Sequence, residues 1–327
     1  NKKLEGIGYI KFQGKANYDV AHKANLIGTA NTLAGSLKTH VSYDNKTIQG
    51  NLSTTDFSLR QLLNNQSLPH LASIDLKGKF DLQQKGNPNL QADLIINELQ
   101  HKNTSYSGIH ATSKWKNKHL QFQVNSESPH LKFLAEGAGK FDGKKISDFS
   151  STCHLTECNP QELNWTKRFK DASFSSFLSL YIKEIRKGLP YGDLDIKDFK
   201  LESQEENYVL NNLSLQLYPS DNLSELKMQS DFATVYLKGD LAPNSIKKYG
   251  EYLVTHYLAD SVKSKNIDTR NLKDWKLSAQ IKKTDILQKL LNIPIGTSGT
   301  FSIEGNLQPQ KDYIYLSSYC QGLNYNN

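Results

Sequence analysis

The chain has 327 residues, of which 37% are apolar and 22% charged, and 40 Lys and Arg against 33 Asp and Glu leave a net charge of +7. Its mean hydropathy of −0.59 is too low for a protein wrapped round one deep core, yet 16 Tyr and 13 Phe exclude a disordered chain. The sequence holds no apolar run of about 18 residues, which excludes a transmembrane helix within it, and three cysteines are too few for a disulfide framework.

The chain opens on Asn1-Lys2-Lys3 directly before a strand pattern at Ile7-Gly8-Tyr9-Ile10, as expected of a piece cut from a longer protein. Residues 1–54 read as four or five strands separated by turns such as Tyr43-Asp44-Asn45-Lys46. Asp56, as an N-cap before Leu59, Leu62 and Leu63, predicts a short helix over 57–64. Period-two alternation then predicts strands over 74–82, 90–96, 106–115, 120–124 and 131–135, with Gly86-Asn87-Pro88 as a turn. Near 165–190 the period changes. Phe174, Phe177, Leu178, Tyr181, Ile182 and Ile185 fall at helical spacing and predict an amphipathic helix over 173–188, ended by Gly188-Leu189-Pro190. Ile246, Tyr249, Gly250, Leu253, Val254, Tyr257 and Leu258 predict another over 245–260, and Ile286, Leu287, Leu290 and Leu291 a third over 285–292. The units beginning at Asp56 and Asp285 repeat one order: helix, loop with Pro69 or Pro294, then a Gly-centred strand. Repeated supersecondary units imply an array in which each leans on its neighbours.

One short pattern recurs throughout: apolar, any residue, Gly, any residue, apolar or small. It occurs at Phe12–Ala16, Leu26–Ala30, Leu33–Leu37, Ile48–Leu52, Leu76–Phe80, Leu237–Leu241 and Ile303–Leu307. In a strand the Gly and its apolar neighbours share one face, while the residues between them, such as Lys77 and Lys79, share the other. Glycine inside a strand marks a bend or a close approach to the backbone. The fold class expected is therefore mainly β: an elongated, repeating groove of antiparallel strands, continuous over 1–327, with a few short amphipathic helices.

Catalytic signatures are absent from the sequence: there is no GxSxG, HExxH, P-loop or GxGxxG, and Gly137-Ala138-Gly139 lacks a following helix. The histidines occur singly, and the pairs Asp193/Asp195 and Glu205/Glu206 lie in polar turns, so no enzyme, metal or cofactor is expected. Cys153 and Cys158 leave a bridge and buried free thiols both open. A pI near 9.0 favours phosphate-bearing partners, but the basic residues are scattered as on a solvated face. Ser113-Lys114-Trp115-Lys116 and Asn164-Trp165-Thr166-Lys167 interleave basic and aromatic residues. The shared face of the strands is mostly aliphatic, however, which suits hydrocarbon better than bases, so no nucleic acid is expected. A transmembrane barrel would carry the opposite polarity, because Asp75, Lys77, Lys79 and Lys238 would face lipid.

The run Val124-Asn125-Ser126-Glu127-Ser128-Pro129-His130-Leu131-Lys132-Phe133-Leu134-Ala135-Glu136-Gly137 resembles the repeating strands of the TamB family, the translocation and assembly module subunits among AsmA-like proteins, in their Bacteroidota form. Gln229–Asp240 with the helix after it, and the Asp56 and Asp285 units, resemble it too. Glu127 and Ser128 depart from the family, which more often has Asp there. The resemblance implies a β-taco with an apolar interior, located in the periplasm and tethered to the inner membrane by an anchor outside this fragment. It further implies an outer-membrane partner of the Omp85 type, met through a region outside this fragment, and a part in moving phospholipid to the outer membrane and in outer-membrane protein assembly.

The expected function is passive carriage of phospholipid acyl chains along the apolar face. The expected lining is Ile74, Leu76, Phe80, Leu82, Leu94, Ile96, Phe122, Val124, Leu131, Phe133, Val235, Leu237, Ile281 and Ile303, with Lys77, Lys79, Lys132, Lys238 and Glu304 facing water. Each buried CH₂ contributes about 0.8 kcal/mol, so a long acyl chain gains on the order of 10 kcal/mol without polar recognition. The alternatives are a closed core with no ligand and a non-catalytic β-rich scaffold or adhesin at the bacterial surface.

Overall fold

The computed structural model describes residues 10–19, 23–81, 89–101, 103–143, 145–166, 171–204, 207–253, 270, 272–282, 295–297 and 299–325. The fold is mainly β, with antiparallel strands and two short α-helices among the described residues. The chain divides into two compact units: Asn1–Lys144 with Ser150–Phe177 and Lys200–Asn207, and Lys145–Phe149 with Leu178–Phe199 and Tyr208–Asn327.

In the first unit nine strands follow one another: β1 (Lys11–Asp19), β2 (Lys23–Thr32), β3 (Gly35–Asp44), β4 (Thr47–Phe57), β5 (Leu71–Asp81), β6 (Asn89–His101), β7 (Thr104–Lys116), β8 (His119–Ser128) and β9 (Leu131–Asp142). Each pairs antiparallel with the next. The turns have the chemistry that right-twisted hairpins require. Asn45 and Lys46 take φ of 46° and 66°, and Asn117 and Lys118 take 51° and 66°, so both are two-residue turns with left-handed central residues.

Helix α1 (Leu59–Leu62) is shorter than the sequence predicts, and its cap is Ser58, whose side chain accepts from the Gln61 amide at 3.2 Å. Asp56 instead sits at φ 53° in a bulge between Thr54 and Phe57. Beyond that bulge Phe57 pairs with Ala72 and lies beside Gly35, and Ala34, Phe57 and Ala72 are all buried. After β10 (Lys145–Cys158), a tight turn buries Leu163 and docks on β7. The Thr104 hydroxyl donates to the Leu163 carbonyl at 2.7 Å, and Trp165 Nε1 donates to the Tyr106 hydroxyl at 3.2 Å.

The helix expected over 173–188 is not formed; β11 (Ser173–Arg186) and β12 (Leu189–Glu202) are strands. Phe174, Leu178 and Ile182 satisfy helical and strand periods alike, because spacings of four belong to both. Ser173, Ser175, Ser176 and Ser179 add no helix propensity. Lys187 and Gly188, at φ 51° and 79°, form a hairpin turn rather than a helix end.

The second unit pairs β13 (Asn207–Ser220), β14 (Leu223–Ser230), β15 (Ala233–Gly239), β16 (Trp275–Ile281), β18 (Phe301–Gln308) and β19 (Tyr313–Cys320) in that order, all antiparallel. The short strands β17 (Ile295–Thr297) and β20 (Leu323–Tyr325) pair with each other. Helix α2 (Pro243–Leu253) starts with Pro at its first position, where no amide hydrogen is needed. It buries Tyr249 and Tyr252, while Ile246, expected on the inner stripe, is 49% exposed. The expected 254–260 portion, the helix over 285–292 and the lining residue Leu82 lie outside the described residues.

Candidate functional site: the apolar sheet faces

Strand register places the expected lining residues of the first unit on one face. One row across the sheet reads Thr39, Leu52, Leu76, Leu94, Ala111, Val124, Ala135. The next reads Leu37, Thr54, Ile74, Ile96, Ile109, Ser126, Phe133. On the other side of the first row come Val41, Gly50, Gly78, Ala92, Ser113, Phe122, Gly137, then Tyr43, Ile48, Phe80, Leu90, Trp115, Leu120, Gly139. Leu131 pairs with Ser128 beyond them. The alternate rows are mostly polar, one reading His40, Asn51, Lys77, Asp93, Thr112, Gln123, Glu136, with Ile27, Ile95 and Leu134 exposed among them. Leu76 and Lys77 thus lie on opposite faces, as the alternation predicts.

The second unit has a face of its own. Leu217, Leu226, Leu237, Leu277, Gly305 and Leu316 form one row; Leu215, Met228, Val235, Ala279, Ile303 and Ser318 form the next. Ile281 lies beside Ala233 and packs on the buried cluster of Leu210, Phe232 and Ala233. All thirteen described lining residues are half-buried: none is packed to full burial and none is open to water.

Glycine has a physical cause at Gly239 of the recurring pattern and at Gly137, a strand glycine outside it. A Cβ on Gly137 would lie 2.7 Å from the ring of Phe122, its cross-strand partner, and one on Gly239 would lie 2.7 Å from the ring of Trp275. Each aromatic side chain lies flat over bare backbone, so its bulk is taken up without lifting the strand. Between Gly50 and Gly78, themselves cross-strand partners, the apolar face sinks into a hollow of about 230 Å³ walled by Val41, Ile48, Leu52, Leu76, Phe80 and Leu90.

The water side is held by cross-strand charges. Lys132 pairs with Glu157 at 2.7 Å and Lys238 with Glu225 at 2.8 Å, and in both cases the lysine hydrogen bond is the main cause holding the carboxyl below its ordinary range. Lys77, Lys79 and Glu304 are exposed, whereas Lys132 and Lys238 are half-buried in these pairs. Asp75 is held low chiefly by a Ser53 hydrogen bond, then by Asn97, whose amide donates at 2.8 Å.

Sequence reasoning missed Leu52, Ile109, Leu226 and Leu277, though the same alternation marks them. It also read Trp115 with its basic neighbours. Register puts Trp115 in an apolar row between Leu90 and Leu120, and its ring centroid is 5.7 Å from that of Phe141. Cys153 and Cys158 are free thiols, each pushed up by burial. Among the described residues no group of three or more His, Cys, Asp or Glu side chains is placed to hold a metal, and no helix is long and apolar enough to cross a membrane. Comparison of the chain with protein-family models, curated proteins and solved structures finds no match.

Proposed function

We propose that the apolar faces shield phospholipid acyl chains from water and that the protein is a non-catalytic carrier segment. The observation that carries this reading is the half-burial of all thirteen described lining residues. A closed core would bury such residues almost completely, whereas an open sheet face leaves each side chain covered only by its neighbours on the same face. In the first unit the rows cross seven strands, β3 to β9, and strand spacing makes that about 29 Å. This exceeds the depth of one membrane leaflet, about 15 Å of hydrocarbon, so a whole acyl chain fits along a row.

The mechanism is binding without chemistry. Acyl methylenes displace water from the aliphatic rows, and the opposite polar face keeps the sheet in solution. In keeping with the TamB-like runs at 124–137 and 229–240, the setting we propose is the periplasm. There the chain would be one stretch of a path from an inner-membrane anchor to an outer-membrane protein of the Omp85 type, serving phospholipid delivery and outer-membrane protein assembly.

The test places a photoreactive side chain at position 94, beside Leu76, and in a second protein at position 277, beside Leu237. The expected result is crosslinking to phospholipid in both, abolished by Leu76→Asp and Leu237→Asp respectively, with phospholipid recovered by extraction of the purified wild-type chain. Absence of lipid from both crosslinking and extraction sinks the proposal.

A further inference from the structure

The broader hollow of the first unit, about 580 Å³, lies on the polar face, behind the Gly50–Gly78 pair. Its volume is that of a small-ligand site. Lys77 and Lys79 stand on one strand with one residue between them, so both ammonium groups emerge on the same side. Lys114 comes from β7, two strands away in the row Gln49, Lys79, Gln91, Lys114. Among the described residues none of the three makes an ion pair, unlike Lys23, Lys118, Lys132 and Lys238 on the same chain. Asp93 is the one carboxylate in the lining, and it lies 2.8 Å from His110 Nε2, already engaged. Amides and hydroxyls complete the lining and supply further donors.

Asp75, two residues along the same face, and Asp93, across the strand, offset part of the Lys77 charge, but three ammonium groups without an ion pair round a donor-lined hollow still call for a ligand that is anionic and rich in acceptor oxygens. We infer that this polar hollow binds phosphate groups, with Lys77, Lys79 and Lys114 as the charge partners and the Gln49 and Gln91 amides as additional donors. The lining has no Phe, Tyr or Trp, so the stacking platform that a single-stranded nucleic acid uses is missing. The inference is independent of the acyl-chain proposal, because it concerns the opposite face of the sheet.

The phosphate can belong to a free compound or to a lipid headgroup, and two arms separate these. Calorimetry of the 327-residue chain with inorganic pyrophosphate reports the first; co-sedimentation with phosphatidylglycerol vesicles, against phosphatidylcholine vesicles, reports the second. The expected result is saturable binding in at least one arm, weakened about tenfold or more by the combined K77Q, K79Q and K114Q substitutions at unchanged melting temperature. Asp93→Asn, which removes the one carboxylate of the lining, is expected to tighten binding by roughly threefold and is read independently of the triple variant. Binding in neither arm, or binding that both variants leave unchanged, overturns the inference. So does tighter binding of a thymidine oligonucleotide than of pyrophosphate through the same lysines.

Discussion

The two units carry the same alternation and finish their apolar faces differently. In the first, the middle rows are left half-covered and sink into a hollow at Gly50 and Gly78, while full burial is found near the turns, at Ala34, Phe57, Ala72 and Leu163. In the second, helix α2 sits over the end of the face. Tyr249, Tyr252 and Leu272 are buried there against Leu253, Trp275 and Leu307, and the Tyr249 and Trp275 rings lie 4.9 Å apart. The helix thus occupies apolar surface of the kind that the first unit leaves available. A sheet face with this patterning can either be stoppered by its own chain or be kept for something else, and the choice is made by a short amphipathic segment rather than by the strands.

The comparison breaks most sharply at the stopper. Tyr249→Ala or Trp275→Ala should cost about 3–5 kcal/mol, as large-to-small changes in packed aromatic clusters do, and calorimetry should show the loss as a lowered melting transition. Leu76→Asp is the matching change in the first unit. If the face there is open, it should lower the melting temperature by only a few degrees while eliminating lipid crosslinking. A closed core would instead lose several kcal/mol on burying the carboxylate, so a collapse of the transition would remove the contrast between the units.

A second difference is legible in alkali. Burial pushes the Tyr249 phenol up to about 12, the hydroxyl donating to the Lys273 carbonyl. Its folded value lies above the unfolded value of about 10, so the neutral form contributes stability that is complete below pH 10. That stability falls away as pH rises towards 12, by roughly 3 kcal/mol in all. Tyr249→Phe should flatten this alkaline decline in a denaturant titration and leave the first unit's behaviour unchanged. Packing offers a subtler probe: Gly239→Ala puts a methyl group into the Trp275 ring and should cost about 1–3 kcal/mol. Gly78→Ala meets only the Gln91 carbonyl at 3.8 Å and should be nearly neutral.

The smallest expected effect lies at the surface pairs. Glu157 and Glu225 are held below the usual carboxylate range, so each stabilises the fold above the unfolded value and ceases to do so as pH falls through the lower folded one. Glu225→Gln should make the melting temperature slightly less sensitive to acid, measured between pH 6 and pH 3. An unchanged acid slope would mean that the pair with Lys238 is too solvated to matter.

Much of the sheet was legible because alternation is a strong local signal. Leu76-Lys77-Gly78-Lys79-Phe80 can satisfy an apolar and a polar face only as a strand, and its register with β4 and β6 follows from matching like with like. Phe174–Ile185 was misread because its apolar residues suit both periods, and the arbiter was the Lys187-Gly188 turn. In α2, Tyr252 was missed and Ile246 misplaced, since the packed stripe is set by where Trp275 and Leu307 lie, which spacing alone does not convey. The half-burial of the lining was not legible at all. Alternation says which side a residue faces, and coverage of that side is settled by the rest of the chain.

The segregation of apolar and polar rows to opposite faces has an evolutionary consequence. What each strand position must preserve is a single binary property, water-facing or not, and Leu, Ile, Val and Phe exchange freely within it. Substitution can therefore erase residue identity along β5 while leaving the sheet intact, but deletion of one residue there would swap Leu76 with Lys77 across every row they join. Descendants of such a chain should differ by replacements in the strands and by gaps in the turns. Kinship among them would be better traced through the parity of alternation than through shared letters.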